Sequence, residues 1–197
     1  VSINSGQILL DGEDLLKKPE KVRRDLCGTT LGFIPQNPMT AFNLHVPVGT
    51  QMSETFRKRL RLDKNAARKL SVDVLQKVNL LDTDRVYRSY PGQLSGGMLQ
   101  RATMAILIGL SPRYIFADEP TSALDPLAEQ EFINTLLSWY KNKTVVIISH
   151  RMTFASIADR VFVIKDGAVA EQGTPKQLLN AKGLFYEYFN TQRSLYF

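Results

Sequence analysis

Two carboxylates stand back to back in the stretch Tyr114-Ile-Phe-Ala-Asp118-Glu119-Pro120. The short apolar run ahead of them, stopped by proline, predicts a strand buried on both faces. In an open α/β sheet, ligands gather at the carboxyl ends of such strands. An Asp at that point is what nucleotide hydrolases use to hold Mg²⁺. A Glu beside it has the chemistry to orient or deprotonate an attacking water. The same pair would also serve as the solvated end of a strand, because an apolar run followed by Asp-Glu is a common pattern.

Other stretches carry compatible chemistry. Leu94-Ser95-Gly96-Gly97-Met98-Leu99-Gln100-Arg101 enters a helix predicted to run to about Leu110. Ser95 is a good cap for it, and the two glycines leave the backbone amides bare. A helix start of that kind is an anion site, although a Ser-Gly-Gly start is also an ordinary structural device. His150 follows the apolar run Thr144-Val-Val-Ile-Ile-Ser149, a second predicted buried strand, and is expected on the same sheet edge as Asp118. A lone His is more often structural, and its place at a strand's carboxyl end is what singles it out. Gln36 comes just after Leu31-Gly-Phe-Ile, a short strand stopped by Pro35, and starts a loop that continues to Pro47. Asp125 is an N-cap type with Pro126 at the first helical position.

The elements around these residues follow from periodicity. Val1-Ser-Ile-Asn-Ser-Gly6 runs at once into Gln7-Ile-Leu-Leu10, a strand with Asp11-Gly12 as its turn, and residues 13–26 are helix-compatible. Over residues 50–81 the period becomes helical. Met52, Phe56 and Leu60 form one apolar stripe and Leu70, Val74, Leu75 and Val78 a second, with Asp63 capping between them. With the next helix they predict a small helical subdomain at about residues 48–111. Phe132, Ile133, Leu136, Leu137 and Tyr140 predict one apolar helix face. Residues 160–171 predict a hairpin around Asp166-Gly167, and the remainder from Thr174 is helical, carrying Leu178, Leu179, Phe185, Tyr188 and Phe189. Strands alternating with helices argue an α/β domain with a largely parallel core.

The 197 residues suffice for one sizeable domain. At 44% hydrophobic and 22% charged, the composition is globular. The net charge of +6 is spread along the chain, with denser patches at residues 17–24 and 57–61 that read as solvated helix faces. Cys27 is the single cysteine, which excludes an internal disulfide and a multi-cysteine metal site. No apolar run approaches the roughly 18 residues of a membrane span, and there is no secretory leader pattern. These features predict a soluble, cytoplasmic chain.

In order and spacing, the motifs resemble the ATP-binding subunits of ABC transporters. Gln36 resembles the Q-loop glutamine, Leu94–Arg101 the LSGGQ signature with Met98 in place of its first Gln, and Tyr114–Glu119 the Walker B strand with the catalytic glutamate. Ser122-Ala-Leu-Asp125 resembles the D-loop and His150 the switch histidine. Any one motif is weak; five in order over residues 33–150 are specific. Gln36-Asn-Pro-Met-Thr-Ala-Phe-Asn and Ser-Gly-Gly-Met are similar to the importers of oligopeptides, dipeptides and nickel. The short end after the last helix and the lone cysteine lean toward the nickel or metal-chelate type.

The resemblance implies an ABC-type nucleotide-binding domain over residues 1–197. Its expected parts are a RecA-like parallel sheet core, an N-terminal antiparallel portion and an inserted helical subdomain. It implies ATP and Mg²⁺ as ligands, sandwiched between two such subunits. Ser95, Gly96 and Gly97 would meet the γ-phosphate of ATP held by the partner. Asp118 would hold Mg²⁺ through its water shell, with Gln36 linking nucleotide and metal to the loop that follows it. Glu119 would orient the attacking water, His150 would hydrogen-bond the γ-phosphate, and Asp125 would tie the two sites across the interface. The implied partners are a second ABC ATPase subunit, transmembrane permease subunits met by residues 37–48 and the helical subdomain, and an extracytoplasmic solute-binding protein. No nucleic acid is expected. The implied place is peripheral, on the cytoplasmic side of the membrane.

One departure counts against a complete site. The family's phosphate loop, Gly-x-x-x-x-Gly-Lys-Ser/Thr, is not found, and the sequence holds no Gly-Lys dipeptide. That strand-loop-helix unit, on the order of 30 residues, would precede the strand at Gln7–Leu10. Several charge-assisted hydrogen bonds of about 1.5–3 kcal/mol each would go with it. These residues alone are therefore expected to bind ATP weakly or not at all and to be incompetent in hydrolysis. The alternatives are a truncated ABC fragment that acts only by binding partners, and a non-transport ABC ATPase.

Overall fold

The structure is a computed structural model that describes residues 5–122 and 124–196. Val1–Asn4 of the predicted leading segment and Ala123 of the turn after Asp118 lie outside the described residues. The chain divides into two compact units, one up to Val146 and one from Ile147.

The first unit opens with the strands β1 (Leu9–Leu10) and β2 (Glu13–Asp14), paired antiparallel around Asp11-Gly12. Helix begins later than the sequence predicts, at α1 (Glu20–Leu26). Asp14 instead caps a short 3₁₀ turn by accepting from the Leu16 amide, and Pro19 precedes α1. The hairpin turn is anchored through Asp11, which accepts from the Tyr114 hydroxyl at 3.1 Å and from Arg113 at 3.0 Å. β3 (Leu31–Ile34) follows.

α2 (Val48–Leu60), α3 (Lys64–Lys77) and α4 (Thr83–Arg88) pack against one another as a small bundle. Asp63 caps α3 by accepting from the amides of Asn65 and Ala66 at 2.8 and 2.9 Å. Met52 and Phe56 are fully buried, as are Leu75 and, nearly so, Val74. A chain of hydroxyls crosses the bundle: Ser53 lies 3.0 Å from Ser71 and 2.8 Å from the Tyr87 hydroxyl. The Tyr87 ring lies against Gly49, where a Cβ would stand 2.1 Å from ring carbons. α5 (Gly96–Leu110) packs on this bundle, with Gly109 making room for the Phe56 ring.

α5 ends at Ser111, which adopts left-handed backbone. The core strand β4 (Tyr114–Asp118) comes next, then α6 (Pro126–Trp139) and β5 (Thr144–Ile148). The Lys143 ammonium donates to the carbonyls of Ser111 and Pro112 and to the Ser111 hydroxyl, closing the carboxyl end of α5. The sheet order is β3–β4–β5, with β3 and β4 parallel and Leu31 opposite Tyr114 through Ile34 opposite Ala117.

Only one face of this sheet is covered within the described residues, which corrects the expectation of strands buried on both. Ile34, Ile115 and Ala117 are buried on one side, whereas Phe33 is 58% and Phe116 41% exposed on the other. Val146 in β5 is 44% exposed. An all-apolar strand has the composition for two covered faces, but its sequence does not say whether the second cover is present. Likewise Leu137 lies 49% exposed, off the α6 face formed by Phe132, Ile133 and Leu136.

The second unit contains α7 (Met152–Ile157), the antiparallel pair β6 (Val161–Lys165) and β7 (Ala168–Gly173), α8 (Pro175–Ala181) and α9 (Leu184–Tyr196). Asp166 and Gly167 both have positive φ, the backbone that a two-residue hairpin turn demands. The helical remainder predicted from Thr174 is broken in two by Lys182, whose left-handed φ of 52° ends α8. Val163, Leu178 and Phe185 form the core of this unit, with Met152, Ala155 and Leu184 packed on it. Among the described residues, no helix is long and apolar enough to cross a membrane.

Candidate functional site

Asp118 is the last residue of β4 and Glu119 follows it at the carboxyl end of the strand, both partly buried. Glu119 has a φ of +42°. Left-handed backbone costs a residue with a Cβ about 1–2 kcal/mol, so the surroundings must hold it. Three contacts do. The Ser122 amide donates to the Glu119 carbonyl at 3.1 Å, and the Leu124 amide donates to the Thr121 carbonyl at 3.0 Å. The Thr121 hydroxyl donates to the Glu129 carboxylate of α6 at 3.1 Å, with both residues buried. Backbone strain held in this way is characteristic of functional turns.

Gln36 reaches the same turn from the neighbouring strand. It follows β3 by two residues, is exposed, and its carbonyl accepts from the Ser122 hydroxyl at 3.5 Å. The parallel pairing of Ile34 with Ala117 puts the ends of β3 and β4 side by side. Asp118, Glu119 and Gln36 therefore share one sheet edge.

Ser95 caps α5 as the sequence predicts, its hydroxyl oxygen accepting from the Met98 amide at 3.2 Å. Ser95 and Gly96 are exposed, so the start of the helix is open to solvent. Gly97 is partly buried, and a Cβ on it would stand 3.0 Å from the Leu124 side chain. The helix start is thus seated against the turn that carries Asp125. That residue caps α6, accepting from the amides of Leu127 and Ala128 at 3.0 and 2.9 Å.

The Ala128 amide, then that of Leu127, with Arg101 beyond them, holds the Asp125 carboxyl below its ordinary value against some desolvation. The sign follows directly. A depressed folded-state value adds stability that is present above the unfolded carboxylate pKa of about 4 and is lost as pH falls through the folded value. Asp125→Asn is therefore expected to melt below the parent at about pH 7, the gap closing as pH falls through the folded-state value. Thermal melts across that range check it; a gap independent of pH would remove the ionised cap from the account.

His150 belongs to the second unit, two residues beyond the end of β5, and its carbonyl accepts from the Gln192 side chain of α9. Sequence reasoning gave no role to three further residues. Arg101 lies 3.8 Å from Glu131 and acts on Asp125. Glu129 pins Thr121. Gln100, 1% exposed, has an amide with no hydrogen-bond partner among the described residues. Long-range pairs of this kind leave no periodic trace in a sequence, although a Gln within an otherwise apolar helix face is itself a signal.

No group of three or more His, Cys, Asp or Glu side chains that could hold a metal is found among the described residues. One carboxylate at a strand end fits Mg²⁺, which keeps several waters and takes one or two carboxylates plus phosphate oxygens rather than a protein cage.

Comparison with known proteins bears on this arrangement. A family profile described as ABC transporter matches residues 1–122. The chain is similar to the metal-staphylopine import system ATP-binding protein CntD of Staphylococcus aureus, 34% identical over 179 residues, covering 89% of this chain and 66% of the relative. It is similar to the dipeptide transport ATP-binding protein DppD of Bacillus subtilis, 36% identical over 180 residues, covering 89% of this chain and 53% of the relative. The chain thus spans about half to two thirds of the length of these curated relatives. Among solved structures, a bacterial Atm1-family exporter with ATP bound superposes with a TM-score of 0.78 at 26% identity, over 95% of this chain and 32% of that one.

Proposed function

The chain belongs to the ABC transporter family, and from that membership we propose that it is the ATP-binding subunit of an importer of peptides or metal chelates. The observation that carries the reading is the shared edge of Asp118, Glu119 and Gln36, held by a turn that also seats the bare start of α5. The relatives' roles in dipeptide and metal-staphylopine import support the substrate classes.

In this reading Asp118 and Gln36 hold Mg²⁺, which shields phosphate charge when bound. Glu119 orients the attacking water and takes up its proton at a carboxylate oxygen. Its strained backbone fixes the direction of that carboxylate before nucleotide arrives. The amides of Gly96 and Gly97 and the Ser95 hydroxyl bind a γ-phosphate presented by a second ATPase subunit. The positive end of the α5 dipole favours that charge. Asp125, beside Gly97 through Leu124, lies on the side facing that partner. His150 donates to the γ-phosphate. Residues 37–48 and the helical subdomain, residues 48–111, dock on a permease at the cytoplasmic face of the membrane. A solute-binding protein delivers cargo outside.

The test uses the natural-length protein with its permease in vesicles. ATP-driven accumulation of either a labelled dipeptide or a labelled metal chelate is expected, and Asp118→Asn should abolish it. ATP hydrolysis with accumulation of neither would favour a non-transport ATPase.

A further inference from the structure

α9 is fixed at both ends of its inward stripe. Phe185, Phe189 and Gln192 recur at helical spacing, so they share a face. Phe185 is 1% exposed in the core of the second unit, and its ring stacks with that of Phe189 at 6.4 Å between centroids. At the amino end, the Glu171 carboxylate of β7 accepts from the amides of Leu184 at 2.6 Å and Phe185 at 3.1 Å. Gly183 allows this approach, because a Cβ there would stand 2.0 Å from a Glu171 oxygen.

Two turns further on, the Gln192 side-chain amide uses both of its atoms on one stretch of backbone. Its Oε1 accepts from the Met152 amide at 3.0 Å, and its Nε2 donates to the His150 carbonyl. Met152 is the first residue of α7, so its amide is one of the orphan donors of a helix start. Arg151, at the N-cap, makes no side-chain cap bond. Gln192 therefore supplies the cap from another helix, and in doing so brackets the backbone from residue 150 to residue 152.

We propose that Gln192 is a positioning residue for His150: it fixes the backbone from which the imidazole projects. This rests on the reading of His150 as a γ-phosphate donor. The clamp needs an acceptor and a donor at the end of a two-methylene stem. Glu keeps the acceptor and loses the donor; Met keeps the shape and loses both. The order of function is Gln above Glu above Met.

The experiment uses the natural-length protein in its native assembly, with Gln192→Met, Gln192→Glu, His150→Ala and the double variant His150→Ala/Gln192→Met. Gln192→Met is expected to lower kcat for MgATP about tenfold, the effect of one to two lost hydrogen bonds, and to leave KM for ATP within about twofold. Amide exchange over residues 149–156 should quicken by about tenfold. On the His150→Ala background Gln192→Met should cost nothing more, because residues acting as a unit are non-additive. Gln192→Glu, which retains one bond, controls for misfolding and should fall between. Full additivity in the double variant, or unchanged exchange at residues 149–156 in Gln192→Met, would overturn the clamp. An unaltered rate in His150→Ala would instead sink the role of His150, while exchange would still decide whether Gln192 holds its backbone.

Discussion

Glu119→Gln is expected to lower MgATP turnover by about 10²–10⁴-fold in the assembled protein, the range for loss of a general base, while nucleotide affinity stays within a few-fold. Gln is isosteric and still occupies the strained left-handed position at φ +42°. What it loses is the ability to take a proton. The contacts of Ser122 with the Glu119 carbonyl and of Thr121 with Glu129 involve other atoms and survive. Single-turnover hydrolysis together with equilibrium nucleotide binding separates the two effects. An unchanged rate would remove Glu119 from the chemistry and leave its strain as a purely structural feature of the turn.

Gly49→Val is expected to cost more than about 3 kcal/mol of stability, and Gly49→Ala about 1–3 kcal/mol. A Cβ at residue 49 would stand 2.1 Å from Cγ and Cδ2 of Tyr87, atoms near the base of that ring. The ring has little room to retreat. Its hydroxyl is 2.8 Å from Ser53, which is itself 3.0 Å from Ser71, and the Arg68 guanidinium lies 5.2 Å from the ring centroid. Relief requires α4 to move off α2, breaking the hydroxyl chain. For a domain of this size, each kcal/mol lowers Tm by roughly 2–4 °C. A Gly49→Ala melt within about 1 °C of the parent would mean that α4 is seated differently.

The sequence was informative wherever one residue carries its own signal. Asp63, Ser95 and Asp125 are caps by type and position, and each accepts the expected amides. Asp166-Gly167 is a hairpin turn because both residues tolerate positive φ. The apolar stripes of α2 and α3 declare a bundle through their period. What stayed hidden depends on partners far along the chain. Phe33 and Phe116 are strand residues by composition, and their exposure depends on what covers the sheet. Gln192 and Met152 are 40 residues apart, and nothing local to either marks the pair. The break at Lys182 leaves little trace in the sequence, because a lysine with positive φ has no compositional flag, although Gly183 beside it is a weak one.

The parallel pairing of β3 with β4 sets a clock for folding. Leu31 must find Tyr114 across the whole of α2, α3, α4 and α5. A non-local parallel pairing is intrinsically slow, because loop closure is costly before any contact repays it. The intervening helices contact near neighbours in sequence, so they can form first and bring the strand ends toward each other. Residues of the bundle are then expected to carry high φ-values and β3 low ones. Mutations in the bundle would slow folding, whereas mutations at β3 would mainly hasten unfolding.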